Sequence, residues 1–183
     1  MTGRAFGPAP HVFWRAYVVG AVATALPPFQ TVLDEHREDV YRFVRALVGA
    51  NEADDCFQET LMSAIRAYPK LEPDANVRAW LFTIARNKTI DAHRARGRRA
   101  IPAESVPEHA AAESAASTNG IGIDPELWAL VRALPPKQRS AIGLRFVADM
   151  SHAEVAVALD CSEEAARRSL HEGLTKLREE WTP

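Results

Sequence analysis

Residues 78 to 99 form a strongly basic stretch, with Asp91 as the only acid among seven Arg and Lys side chains. Trp80 and Asn87 lie in the same stretch. Cationic groups neutralise phosphates, and aromatic rings stack on bases. This mixture is typical of a surface that holds melted or single-stranded DNA. The alternative is a solvated basic helix end, which the helix dipole favours, with Trp80 in the core.

A second cluster is acidic and polar, and it consists of Asp54, Asp55, Gln58 and Glu59. Carboxylates this close together are compatible with metal binding or acid–base catalysis. However, no His joins them, and acidic residues at a helix start are favoured by the helix dipole. A docking surface for a basic partner is compatible with these residues, but their spacing alone does not establish it, and we expect no metal or cofactor.

A third pattern lies near the carboxyl end, where Ser151-His152-Ala153-Glu154 is a capping box. A short helix to Leu159, a turn at Asp160 and Cys161 and a longer helix capped by Ser162 predict a helix-turn-helix, which places its second helix in the DNA major groove. The alternative is a helical hairpin that contacts only protein. The outward side chains available on the second helix are Ser162, Glu163, Arg167, Arg168, His171 and Lys176.

The elements that position these clusters are predicted to be helices throughout. Apolar residues recur at steps of three and four from Leu33 to Leu47, and Gly49 follows as a stop. Asn51 is predicted to cap a second helix that Pro69 ends, and Asn76 a third. The core positions expected in the second and third helices are Ala53, Phe57, Leu61, Ala64, Ile65, Tyr68, Val77, Trp80, Leu81, Ile84 and Ala85.

Residues 100–123 are rich in Ala, Ser, Pro and Glu and lack an apolar period, which predicts an acidic flexible linker. Asp124-Pro125 then reads as a cap followed by a first-turn proline. After Pro135-Pro136 a helix is predicted to about Val147, with Ala141, Ile142, Leu144 and Phe146 as its apolar residues. The predicted fold is all-α, with two small helical domains, at 29–99 and 124–180, joined by that linker.

Bulk properties limit the remaining choices. The formal net charge of -2 does not by itself indicate a nucleic-acid binder, but the segregation of charge indicates different faces for different partners.

Cys56 and Cys161 lack metal-ligand spacing and are expected to be reduced thiols in a cytoplasmic protein. Residues 1–28 are expected to form a poorly ordered N-terminal extension. Their apolar run is too short to span a membrane, although a secretory signal is an alternative.

Four segments together resemble the extracytoplasmic-function (ECF) sigma factors, small members of the sigma-70 family. Asp54-Asp55-Cys56-Phe57-Gln58-Glu59-Thr60-Leu61 is similar to the D-x-x-Q-E-T-F segment of the sigma-2 domain. The segment Trp80 to Asp91 resembles A-W-L-x-x-I-A-R-N-x-x-x-D of the same domain. Leu134 to Arg139, followed by Arg145-Phe146, is similar to the sigma-4 pattern L-P-x-x-x-R…L-R-x, and Met150 to His171 to its helix-turn-helix. The order is correct from about Phe29 to Arg178.

The resemblance implies a function in transcription initiation. It implies that the chain is no enzyme, that core RNA polymerase (β′ and β subunits) and promoter DNA are its partners, and that an anti-sigma factor holds it silent. It implies no membrane insertion. The implied core-polymerase contacts are Asp54, Asp55, Gln58 and Glu59. The implied contacts with the −10 promoter element are Asn76, Trp80, Arg86, Asn87, Lys88 and Arg94. The six outward residues of the last helix are the implied −35 contacts.

This sequence departs from the family pattern at the helix-turn-helix. Asp160 stands where the family usually has Gly, and Glu164-Ala165-Ala166 where it often has Gly-Thr-Val. Glu172 and Gly173 occupy positions that are often basic or Ala. An added carboxylate near DNA weakens binding, so these differences put the strength of the −35 contacts in doubt.

Two other functions are compatible with parts of the sequence. A stand-alone transcription regulator would use only the helix-turn-helix, with a sensing domain at residues 30–99. A small helical enzyme would need clustered catalytic groups, but His36, His93, His152 and His171 lie in separate predicted helices. The segments around Asp54 and Trp80 favour the sigma-factor interpretation. The sequence does not identify the inducing signal, the regulon or the anti-sigma factor.

Overall fold

The computed structural model describes residues 26–99 and 124–181, and in these ranges the chain is helical without strands. This confirms the predicted all-α class. The first range forms an N-terminal unit of three α-helices. They are α1 (Phe29–Val48), α2 (Ala50–Ala67) and α3 (Val77–Arg99), with a short 3-10 turn at Tyr68–Lys70. The second range forms a C-terminal unit of four helices: α4 (Pro125–Ala133), α5 (Pro136–Phe146), α6 (His152–Leu159) and α7 (Glu163–Glu180).

The N-terminal unit packs around the apolar stripe of α1. Phe43 and Leu47 are fully buried, and the Phe43 ring meets that of Phe82 from α3 edge to face at 5.4 Å between centroids. Gly49 separates α1 from α2 with φ of 88°, a backbone conformation that favours glycine. Asn76 caps α3 as predicted, because its Oδ1 accepts from the Ala79 N–H at 2.9 Å.

Two details of the sequence prediction were wrong. Asn51 does not cap α2, which begins one residue earlier, directly after the Gly49 turn. Ile65, expected in the core, is 54% exposed, because α2 buries Ala53, Cys56, Thr60 and Ala64 instead. Phe146, predicted as one of the apolar residues of α5, is 58% exposed.

The C-terminal unit follows its predicted local signals closely. Asp124 Oδ1 accepts from the N–H groups of Glu126 and Leu127, and Pro125 occupies the first turn of α4. Ser151 and Glu154 form the complete capping box of α6. Ser162 caps α7 through the Ala165 N–H at 3.2 Å. These caps bond backbone N–H groups that have no partner within the helix.

The two units share one continuous core. α5 approaches α1 so closely that a Cβ added at Gly143 would lie 3.0 Å from the Phe43 ring and 3.1 Å from Leu47. α6 packs on α3, and α4 packs on α1. The predicted linker at residues 100–123 and the N-terminal extension lie outside the described residues. None of the described helices is long and apolar enough to cross a membrane.

Candidate nucleic-acid interface

The exposed face of α2 carries the four predicted core-polymerase contacts. Asp54, Asp55, Gln58 and Glu59 are all exposed. The Tyr41 hydroxyl from α1 donates to Asp54 Oδ1 at 2.9 Å and fixes that carboxylate against the helix. Burial raises the pKa of the Tyr41 hydroxyl, as does its hydrogen bond to Asp54. The structure therefore brings the four residues together on one helix. The carboxylate of Asp54 is held in place by the Tyr41 hydroxyl of the neighbouring helix α1.

Two apolar side chains extend this face, and sequence reasoning missed both. Met62 is 47% exposed and Ile65 is 54% exposed, and with Asp55 and Gln58 they follow steps of three and four residues along α2. Residues at this spacing lie on one side of a helix. The apolar pair directly after the acidic turns was a usable signal, but the periodicity assigned Ile65 to the core. We call Asp54, Asp55, Gln58, Glu59, Met62 and Ile65 the α2 face.

The amino-terminal half of α3 positions the first predicted −10 residues. Asn76 is exposed at the cap, and its amide oxygen accepts the Ala79 N–H. Trp80 is half-buried, and its ring lies 5.8 Å from that of Tyr68. The Trp80 ring therefore packs against the core on one side, and part of it is exposed to solvent.

The middle of α3 holds three further predicted −10 residues in different surroundings. Arg86 is half-buried, and burial lowers the pKa of its guanidinium, while Cys161 and Asp160 of the other unit act in the opposite direction. Asn87 is exposed and accepts from Arg86 Nη1 at 3.3 Å. Lys88 Nζ lies 3.2 Å from Glu59 Oε2 of the α2 face. Arg94, one turn and a half further, is exposed, 3.9 Å from Asp91.

The helix-turn-helix consists of α6, the turn at Asp160 and α7. Asp160 adopts a left-handed conformation with φ of 51°, the conformation for which the family's glycine is suited. Its N–H accordingly bonds back to the carbonyl of Val157. The predicted turn and its unusual backbone therefore both occur, with aspartate in place of glycine.

The predicted −35 residues follow the first turns of α7. Ser162 is exposed and serves as the cap, and Glu163 Oε1 accepts from Arg167 Nη2 at 2.5 Å. The remaining members are exposed on α7: Arg168, His171 and Lys176. Because Arg167 is paired with Glu163, the first turn of α7 offers less positive charge to a phosphate. Arg168, at the next position, is exposed.

Two departures from the family pattern have structural roles behind α7. Gly173 is buried where α7 crosses α5, and a Cβ there would lie 2.9 Å from Ile142 Cδ1. Glu172 accepts from Gln138 Nε2 of α5 at 3.1 Å. Both residues therefore hold α7 on its supporting helix.

The two cysteines, Cys56 on α2 and Cys161 at the turn before α7, have weakly acidic thiols. Burial raises the pKa of Cys56 to about 11, and it raises that of Cys161 as well. Both cysteines are free thiols. Within residues 26–99 and 124–181, no group of three or more His, Cys, Asp or Glu side chains is arranged to hold a metal ion.

An apolar groove of about 650 Å³ lies between α4, α5 and the end of α7. Trp128, Phe146 and Trp181 contribute aromatic surface, and Arg42 of α1 and Arg178 add positive charge. The groove accounts for the exposure of Phe146, which lines it.

Comparison with known proteins gives consistent results. Residues 32–99 match sigma-70 region 2, and residues 125–177 match sigma-70 region 4. The chain is 37% identical to the ECF RNA polymerase sigma factor SigD of Mycobacterium tuberculosis, over 90% of this chain and 82% of that one. It is 30% identical to SigL of the same species, over 89% and 94% of the two chains.

Solved structures agree with this result. The sigma factor RpoE from Bartonella quintana, in complex with the anti-sigma factor NepR, aligns with a TM-score of 0.65 and 26% identity over 82% of this chain and 94% of that one. CnrH in complex with the cytosolic domain of CnrY shares the fold, with a TM-score of 0.61 and 24% identity over 82% and 85% of the two chains. The order of region 2 followed by region 4 in this chain is thus that of one family. This chain belongs to the ECF RNA polymerase sigma factors, the promoter-directing factors of transcription initiation.

Proposed function

We propose that this chain binds core RNA polymerase through the α2 face, contacts the −10 element through α3 and reads the −35 element through α7. It supplies promoter choice, while the polymerase supplies catalysis, so the chain catalyses no reaction itself. Its place of action is that of the polymerase, the cytoplasm. The observation that carries the proposal is the grouping of the predicted residues on three helices, where those on α2 are exposed and Trp80, Arg86 and Lys88 on α3 are half-buried.

The division into parts follows from these faces. Residues 29–99 would form the unit for polymerase and −10 binding, and residues 124–180 the unit for −35 binding. Residues 100–123 would be the acidic linker between them, and residues 1–28 an N-terminal extension. Two weak DNA contacts on one chain reinforce each other only when both engage at once. Promoter affinity is therefore expected mainly in the complex with polymerase.

The charges of the three faces support these assignments. The α2 face exposes Asp54, Asp55 and Glu59 beside Met62 and Ile65, which suits a partner with basic and apolar side chains. In contrast, α3 and α7 expose cations that neutralise phosphates. A stand-alone regulator would have no use for the α2 face, and that argues against this alternative.

An anti-sigma factor is a further expected partner. The relatives RpoE and CnrH have solved complexes with NepR and CnrY. In this chain the groove beside Trp128, Phe146 and Trp181 offers an apolar surface with Arg42 and Arg178 nearby. A helix with apolar residues on one side and acids on its flanks would complement that surface.

The proposal is tested by reconstitution with core polymerase and a promoter library. Asp55→Lys is expected to weaken core binding by at least about tenfold, as loss of a charged interface contact does. The double variant Arg167→Ala with Arg168→Ala is expected to reduce promoter use and to retain core binding. Glu35→Lys, at an exposed site on α1, is the matched control for charge reversal. Unchanged core affinity in Asp55→Lys would remove the assigned role of the α2 face.

A further inference from the structure

One stripe of α3 is turned toward the C-terminal unit. Arg78, Arg86 and His93 lie at steps of eight and seven residues, which places them on one side of the helix. Arg78 donates to the Ala148 carbonyl and lies 3.6 Å from Glu154 of α6. The guanidinium of Arg86 is close enough to Cys161 and Asp160 of the turn for both to raise its pKa, although burial lowers it more. The predicted −10 residue Arg86 is therefore half-buried near the unit that is proposed to read the −35 element.

This closed arrangement cannot serve both promoter elements at once. Their names place them about 25 base pairs apart, which corresponds to about 85 Å along B-form DNA. A compact chain of 183 residues has a radius of gyration of about 16 Å. The two units must therefore separate before α3 and α7 reach their elements together.

His93 lies where the two units meet and makes one polar contact to each. Its Nε2 is 3.1 Å from the Leu47 carbonyl oxygen of α1, and its Nδ1 is 3.2 Å from Arg139 Nη1 of α5. A carbonyl only accepts and a guanidinium only donates. Both contacts are therefore satisfied only by the neutral ring with its proton on Nε2. A second proton on Nδ1 would point at an N–H group of Arg139.

The charges around the ring strengthen this requirement. Arg139 approaches from α5 and Arg96 from the next turn of α3, while Glu52 of α2 is the nearby acid and is paired with Arg96 at 2.8 Å. Arg139 is itself buried and donates to the Arg132 carbonyl of α4 at 2.7 Å. Desolvation lowers the pKa of His93, and the two arginines lower it further, against the Leu47 hydrogen bond and Glu52.

We propose that His93 and Arg139 form a proton-sensitive latch that holds the two units closed and that protonation of His93 opens it. The proposal rests on the proposed function only for its consequence, which is access of α3 and α7 to DNA. Opening breaks the Arg139 contact and exposes the α3 stripe. The latch thus couples the protonation of one side chain to the availability of the promoter-binding surfaces.

The direction of the pH effect follows from linkage. Because the pKa of His93 is lower in the closed state than its ordinary value of 6.5, the open state binds the proton more readily. The closed state keeps its full stability above pH 6.5. It loses stability as the pH falls from 6.5 toward the lowered pKa of the closed state.

The test is small-angle X-ray scattering of the free full-length chain between pH 8 and pH 5, with circular dichroism to confirm that helicity persists. Wild type is expected to expand reversibly on acidification, with a midpoint below pH 6.5. In His93→Asn an uncharged oxygen can accept from Arg139 at every pH, so the radius of gyration is expected to stay constant. His171→Asn, at an exposed site on α7, is the control and is expected to behave as wild type.

Nuclear magnetic resonance of the His93 ring in the wild-type chain gives a second readout that needs no substitution. Coincidence of the His93 titration with the expansion supports the latch. Expansion of His93→Asn along the wild-type curve would overturn it, as would titration of His93 while the chain stays compact. Neither measurement involves polymerase, so a failed latch and a failed sigma-factor assignment remain distinguishable.

Discussion

Lys88 Nζ lies 3.2 Å from Glu59 Oε2, and this contact joins a predicted −10 residue on α3 to a predicted core-polymerase residue on α2. The Glu59 side chain is 60% exposed and that of Lys88 27%, so the pair lies at the surface. Polymerase bound at the α2 face would compete for Glu59 and release the Lys88 ammonium toward DNA. The ion pair would thus couple the two proposed surfaces.

Separate substitution of the two partners is expected to separate the two functions. Glu59→Ala should weaken core binding, whereas Lys88→Ala should reduce promoter opening at full core affinity. Both should change the free energy of unfolding by at most about 1 kcal/mol, because exposed ion pairs contribute little. Core affinity and open-complex yield are measured for both variants. An equal loss of core affinity in Lys88→Ala would mean that the pair only supports α2.

The exposed apolar residues of α2 give a prediction about binding energy. Ile65→Ser is expected to change the free energy of unfolding by no more than about 0.5 kcal/mol, as is usual at the surface. It should weaken core binding by about 1 to 1.5 kcal/mol if the exposed half of Ile65 becomes buried against polymerase, which is about half the effect of burying a whole side chain. Fluorescence anisotropy with labelled core enzyme measures this loss. Val157→Ser, at the 36% exposed Val157 of α6, is the matched control and should retain core affinity.

Asp160 permits a test of backbone strain in the helix-turn-helix. Its φ of 51° is more favourable for glycine than for any other residue. Asp160→Gly and Asp160→Asn both remove the charge near Arg86, so their difference isolates the backbone. Asp160→Gly is expected to be the more stable by up to about 1 kcal/mol. Thermal unfolding followed by circular dichroism compares the stability of the two variants. A more stable Asp160→Asn variant would show that contacts of the Asn side chain outweigh the backbone strain at this position.

Gly173 and Gly97 form a matched pair for packing at helical glycines. Alanine improves helix propensity by about 1 kcal/mol at an exposed helical site. Gly97→Ala should show this gain, since a Cβ there meets nothing within 4 Å. At Gly173 the Cβ would press on Ile142 and Gln138, and overpacking costs about 1 to 3 kcal/mol. Gly173→Ala should therefore be the less stable variant in urea unfolding.

Local hydrogen-bonding signals made much of the fold predictable. Asn76, Asp124, Ser151 and Ser162 were predicted as helix caps, and each accepts the expected backbone N–H. Such a cap depends only on residues within one turn, so the sequence contains all the information needed. The prediction that Asn51 caps α2 failed because Gly49, two residues before it, has a positive φ and fixes where α2 begins.

Burial on α2 and the contact between the units were less predictable. The helical period is compatible with two adjacent stripes on α2, and only packing against α1 and α3 selects the one through Cys56 and Thr60. The His93–Arg139 contact joins residues 46 positions apart, across residues 100–123. No periodicity or cap links such positions. The roles of the site residues on α2, α3 and α7 stay predictions.

A substitution at Gly143, where α5 packs against α1, is expected to separate the two units independently of pH. A Cβ at this position would lie 3.0 Å from the Phe43 ring and 3.1 Å from Leu47 of α1, so a side chain as long as leucine would need space that these two side chains now fill. Gly143→Leu is therefore expected to expand the free chain at every pH from 5 to 8, as seen by small-angle scattering, while helicity is retained. Gly97→Leu, on the exposed part of α3, should remain as compact as wild type at pH 8. If closure limits access to the promoter-binding faces, the Gly143 variant should also bind promoter DNA more tightly than wild type at pH 8 in the absence of polymerase. A compact Gly143→Leu chain would mean that the α1–α5 contact yields locally and that Gly143 does not control closure.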